Sequence, residues 1–198
     1  MKKILVAYTT NAGSTTEVAE AIADTLRQDA AQVDVRRVEN VTDLGDYDAG
    51  VVGAPMAMGW HKDAVKFLTR HQQALSRIPV AYFLTALELV KTGETTLQGV
   101  PIYQDPTLAK PPKNESKLSF KEKQATVAAY LGPALKKAPL VKPVSAGFFA
   151  GKLDYSKLNI FQKLFVKIII RGKAGDYRNW EAIRDWAASL NQLFSAES

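Results

Sequence analysis

The stretch ILVAYTTNAGSTTEVAEAIADTL, residues 4–26, decides the fold. Ile4 to Tyr8 form a short apolar run of strand character, and from Thr15 onward Val18, Ile22 and Leu26 recur at the spacing of one helix face. Between them lie Thr9, Thr10, Asn11, Ala12, Gly13, Ser14, Thr15 and Thr16, of which six in eight carry short polar side chains. An ordinary strand-to-helix turn needs one Ser or Thr as a cap. The surplus, with Gly13 to turn the backbone, favours a loop whose N–H groups and hydroxyls converge on an anion at a helix N-terminus. The loop has neither the lysine of GxxxxGK[ST] nor a GxGxxG spacing. A monophosphate therefore fits it better than a nucleoside triphosphate or a dinucleotide.

Working outward, apolar runs at Ile4 to Tyr8, Val33 to Val38, Ala49 to Ala54, Val80 to Leu87 and Val141 to Phe149 predict five buried strands. Helical patterns separate them over Thr15 to Asp29, Lys62 to Leu75 and Ser119 to Lys137, and a last helix runs from Trp180 to Phe194. Strands alternating with helices predict an α/β fold, a doubly wound five-stranded parallel sheet with helices on both faces. Ligands of such sheets sit beyond the carboxyl ends of the strands, where the hydroxyl-rich loop lies.

With 198 residues and 46% hydrophobic content, the chain can close one substantial core, so a single domain is expected. Zero cysteines exclude disulfides, iron–sulfur clusters and thiolate metal sites, and His61 and His71 as the only imidazoles make a zinc site a poor reading. The apolar run in MKKILVAYTT is too short for a signal peptide, and no stretch approaches the ~20 apolar residues of a membrane span, so the cytoplasm is the expected compartment. The net charge of +6 is concentrated between Lys110 and Lys173. No nucleic-acid-binding signature accompanies it, and nucleic acid is not an expected partner.

Two further strand ends face the same crevice. Pro55, Met56, Ala57, Met58, Gly59 and Trp60 follow the third strand, and Thr85, Ala86, Leu87, Glu88 and Leu89 close the fourth. Both loops are small and apolar, as a flat ring held by stacking and backbone hydrogen bonds requires. Phosphate at one end and a ring at the other describe FMN. Trp60 is a candidate to stack on that ring, against core packing as the alternative; His61 and Glu88 are the titratable groups nearest it, and no catalytic residue is nominated.

These pieces resemble a known family. TTNAGSTTEVAEAIA, VVGAPMAMGWHKDAVKFL and GFFAGKLDYSKLNIFQKLFVKIIIRGKAGDYRNWEAIRDWA are together similar to the flavodoxin-like proteins that include the menaquinone-dependent protoporphyrinogen oxidases. The resemblance covers nearly the whole chain. It implies a flavodoxin-like sheet and non-covalent FMN, with the phosphate on Thr9 to Thr16 and the ring between the other two loops. It also implies a redox partner, or a quinone or porphyrin-like small molecule. Carrier flavodoxins are acidic and dock basic partners, whereas this chain is basic.

After the last strand comes an insert over about 152–176. Within it, LNIFQKLFVKIIIR at 158–171 is apolar with Lys163, Lys167 and Arg171 every four residues. As a helix it would pack on the core or on a second subunit, lie peripherally on the inner face of a membrane, or meet a substrate. A homo-oligomer stays open. Beyond it, Asn179 reads as an N-cap, Trp180 and Trp186 as core, and Asp176 and Arg178 as a solvated edge. Ile102 to Leu118, with Pro106, Pro111 and Pro112, reads as a loop over the crevice or a mobile lid. Three functions follow: an FMN oxidoreductase passing electrons from an organic substrate to a quinone, a non-catalytic electron-transfer flavodoxin, or a binding module without flavin.

Overall fold

A computed structural model of the protein describes residues 1–29, 31–56, 59–114, 116–157 and 173–196. The first strand, β1 (Lys3–Tyr8), is followed by α1 (Ser14–Arg27), β2 (Gln32–Arg37), β3 (Ala49–Pro55), α2 (Lys62–Leu75) and β4 (Val80–Ala86). Short strands follow: β5 (Leu89–Val90), β6 (Thr96–Leu97), β7 (Val100–Gln104) and β8 (Ala109–Lys110). Then come α3 (Phe120–Lys123), α4 (Val127–Lys137), β9 (Ser145–Ala150), β10 (Lys152–Leu153), β11 (Gly175–Asp176) and α5 (Trp180–Ala196).

The main sheet has the order β2-β1-β3-β4-β9-β7-β6. Its first six strands run parallel and β6 pairs antiparallel with β7 at the edge. The five expected strands are therefore present, in the flavodoxin-type order 2-1-3-4-5, with β9 as the fifth. Alternation along the strands divides the core in two. Ile4, Val6, Val51, Phe83 and Phe149 face α1 and α5, whose Val18, Ile22, Leu26, Ile183 and Leu190 form continuous buried stripes. Leu5, Val52, Tyr82, Leu84 and Phe148 face the opposite way, against Phe67 and Leu68 of α2 and Leu131 and Leu135 of α4. Each fully buried aliphatic side chain in these stripes contributes about 1.5–3 kcal/mol.

Two glycines permit this packing. A Cβ on Gly53 would stand 1.8 Å from the Phe83 ring, and one on Gly147 would stand 2.7 Å from Phe149 and 2.9 Å from Trp186. The Trp186 indole N–H is satisfied in the same core by Ser145 Oγ at 2.9 Å.

Three expectations are corrected. The stretch Ile102 to Leu118 is not all loop, because Ile102 to Gln104 belong to β7 and pair with β9. Pro101 at the start of that strand hid the signal, since proline is admitted only where its missing N–H costs no central ladder bond. The single helix expected over Ser119 to Lys137 is two. Ser119 caps α3 in a reciprocal box with Glu122, Thr126 Oγ1 accepts from Ala129 N to start α4, and the intervening Ala125 carbonyl is taken by Val90 N. The fifth strand begins at Ser145 and not Val141, because Pro143 has no N–H to extend the ladder. The helix expected at 158–171 lies outside the described residues, and among those described no helix is long and apolar enough to cross a membrane.

Asp105 joins three elements. Fully buried, it accepts hydrogen bonds from Thr107 N and Oγ1, from Ala150 N at the end of β9 and from Asn179 Nδ2 at the start of α5. Asp105→Ala strands those donors and is expected to cost about 2–4 kcal/mol in denaturant unfolding. Glu122 makes a comparable knot nearer the surface. Its carboxylate accepts from Lys113 N, Ser119 Oγ and Ser119 N, which pull its pKa down to about 2. A folded pKa below the unfolded one means stability present above about 4.5 and lost as pH falls through about 2. The amide NMR shifts of Lys113 and Ser119 should move together over that range, and Glu122→Gln should abolish the transition.

Candidate functional site

Parallel strands deliver the loops after β1, β3 and β4 to one edge, and hydrogen bonds fasten them side by side. Thr9 N donates to Gly53 O at 2.9 Å and Met56 N to Thr85 O at 2.8 Å, so each loop leaves its strand still paired. Thr15 Oγ1 meets Thr85 Oγ1 at 3.3 Å, tying the start of α1 to the end of β4. His61 completes the assembly. Its Nδ1 accepts from Asp63 N and caps α2, which leaves Nε2 to carry the proton and donate to Asn11 Oδ1 at 3.0 Å.

Within the first loop the polar side chains divide their work. Thr10 Oγ1 accepts from Gly13 N, Thr15 is paired with Thr85, and Asn11 with His61. Gly13 takes φ +89°, which turns the chain into α1 with no side chain capping the helix. Among the described residues, the N–H groups of Ser14 and Thr15 find no acceptor, and the Ser14 and Thr16 hydroxyls find no partner. Thr9, only 2% exposed, holds an Oγ1 with no hydrogen-bond partner among the described residues. A buried hydroxyl left unsatisfied beside the positive end of a 14-residue helix is suited to an anion. Ala12 is half-buried within the same turn.

The second loop folds back on itself through a bridge between Met56 and Trp60, with Gly59 at φ +118°. Pro55, Met56 and Gly59 are half-buried; Ala57 and Met58 lie outside the described residues. Trp60 is 6% exposed and packs in the core with its ring centroid 5.1 Å from that of Tyr82, so its indole anchors the end of the loop. In the third loop Leu89 is likewise core, while Thr85 and Ala86 are buried with backbone groups in use: Ala86 O accepts from Gly151 N. Leu87 and Glu88 reach the surface. Glu88 pairs with Lys121 at 2.8 Å and its carbonyl accepts from the Tyr130 hydroxyl. Burial, with Glu88 nearby, pushes that phenol up to about 12.

The residue that sequence reasoning missed is Arg178. Expected on a solvated edge, its side chain is 3% exposed. It lies over the Trp180 ring at 4.4 Å, pairs with Asp176 and with Glu17 in the first turn of α1, and reaches Ser14 O at 3.4 Å. Asp176 raises the arginine's pKa, and the arginine's hydrogen bonds hold the Asp176 carboxyl below the usual carboxylate range. The only clue in sequence was its place two residues before Trp180. Asn179 fulfils its expected role, its Oδ1 accepting from Ala182 N.

A family model described as a flavodoxin domain matches residues 5–179. A curated relative from Leishmania major, named protoporphyrinogen IX dehydrogenase [quinone], is 27% identical over 209 residues, covering 96% of this chain and 75% of that protein. One of the same name from Escherichia coli K12 is 22% identical and covers 96% of each chain. Among solved structures, a flavodoxin from the domain Archaea superposes with a TM-score of 0.51 at 11% identity, covering 98% of this chain and 99% of that one.

Arg178→Leu removes the cation over Trp180 and the link to Ser14 O. It should lower stability by about 1–2 kcal/mol in denaturant unfolding and speed hydrogen exchange at the start of α1, leaving the α2 and α4 face unaffected.

Proposed function

The chain belongs to the flavodoxin domain family, and on that premise we propose that it holds FMN and acts as an oxidoreductase carrying electrons from a reduced organic substrate, protoporphyrinogen, to a quinone. One observation carries the cofactor reading: the unpartnered, buried Thr9 Oγ1 beside the uncapped start of α1. The residues present fit the group. The Ser14 and Thr15 N–H groups with the Thr9, Ser14 and Thr16 hydroxyls would hold the phosphate. Pro55, Met56 and Gly59 on one side, with Thr85, Ala86, Leu87 and Glu88 on the other, would flank the ring.

FMN supplies electron and hydride transfer when bound. The chain's own part is to bind and orient. Trp60 and Leu89, buried in the core, anchor the two ring loops to the sheet. His61 fixes the distance between the phosphate loop and α2. His61 and Glu88 are both engaged in these contacts, so neither is given a proton-transfer step. The substrate reading is supported by the names of two relatives that align over 96% of this chain.

Apoprotein titrated with FMN should quench flavin fluorescence at one equivalent, and Thr9→Val should weaken binding about tenfold, the worth of one hydrogen bond to a charged group. Loaded protein mixed anaerobically with protoporphyrinogen and menaquinone should then form porphyrin. Absence of FMN binding overturns the whole reading; binding without porphyrin formation overturns the oxidoreductase and leaves an electron carrier.

A further inference from the structure

On the face of the sheet that carries α2 and α4, a groove of about 750 Å3 begins at Gly59 and Trp60 and runs between the two helices. That volume lies within the ~300–1,000 Å3 range of small-molecule sites. Its lining combines apolar Trp60, Val65, Ala129 and Pro133 with the cations Lys62, Lys66, Arg70 and Lys137. The first three cations stand four residues apart on α2, so they form one line along the groove. Like charges at that spacing weaken a helix. Asp63 offsets Lys66 at 3.7 Å, but among the described residues no carboxylate pairs with Lys62, Arg70 or Lys137. Thr69 Oγ1 donates to Val65 O at 2.9 Å within α2 and approaches Lys137 O of α4 at 3.4 Å.

Four cations among apolar side chains are complementary to one kind of occupant. We propose that this groove is a binding site for a soluble organic anion, with an apolar ring-sized body against Trp60 and Pro133 and its acidic groups between Lys62, Lys66, Arg70 and Lys137. The site stands on the groove and its charges alone and is independent of flavin. It opens at the same Gly59 and Trp60 turn that closes the loop after β3, so an occupant would touch that loop from outside.

The test is titration of the full-length protein with 8-anilinonaphthalene-1-sulfonate, an aromatic sulfonate, followed by its fluorescence with and without added FMN. One equivalent should bind in both states. The double variant Lys66→Glu/Arg70→Glu should weaken it by about tenfold or more, and Ala129→Phe, which fills the groove without changing charge, should do the same. Arg184→Glu, on α5 across the sheet, makes the charge reversal of one groove substitution away from the groove and should leave binding intact. Affinity unchanged in both groove variants, or lowered equally by Arg184→Glu, overturns the proposal. So does capture of the protein by phosphatidylglycerol vesicles, but not phosphatidylcholine ones, with no saturable dye binding, since that marks a membrane surface. Failure to bind FMN leaves every one of these outcomes readable.

Discussion

The parallel ladder of β1, β3 and β4 is the constraint from which the rest follows. Because these strands run in one direction, their carboxyl ends and the loops leaving them share one edge. An antiparallel neighbour would have sent one of the loops to the far side. Parallel neighbours in turn require crossovers, and right-handed crossovers place α1 with α5 on one face and α2 with α4 on the other. The close pass of Phe83 over Gly53 sits at the centre of this arrangement, since any side chain on Gly53 would have to displace the buried Phe83 ring.

Local chemistry then sharpens what topology provides. The loop after β1 looks uniformly hydroxyl-rich in sequence, yet its members are unequal. Thr10 and Thr15 hold the protein together, Asn11 answers His61, and Thr9 alone is buried with its bonding capacity unspent. The distinction matters because an internal bond lowers what a hydroxyl can offer a ligand.

Much of this was legible in the sequence. The five principal strands and four helical regions come from periodicity, and the position of Gly13 announces the turn it makes. Asn179 was readable because capping is a local rule. What escaped depends on partners distant in the chain. Nothing near Arg178 says that Glu17 will meet it, and nothing near Asp105 says that Ala150 and Asn179 will converge on its carboxylate. Trp60 shows the same limit. Its sequence allowed either a stacking face or core packing, and its contact with Tyr82, 22 residues away, puts it in the core. β7 escaped for another reason, since a five-residue strand next to the sheet's edge, carrying Pro101, lacks the apolar run that betrays a central one.

The pairing of β10 with β11 has an architectural consequence. Lys152 stands opposite Asp176 and Leu153 opposite Gly175, so the chain that departs after β9 returns to within one strand spacing of where it left. The stem holds the end of β9 and the approach to α5 beside each other through its own two residue pairs. Closing a longer loop on such a stem costs only about 0.6 kcal/mol per doubling of length. The stem is therefore a hinge point of fixed geometry, setting where the chain leaves the sheet and where it comes back to start the last helix.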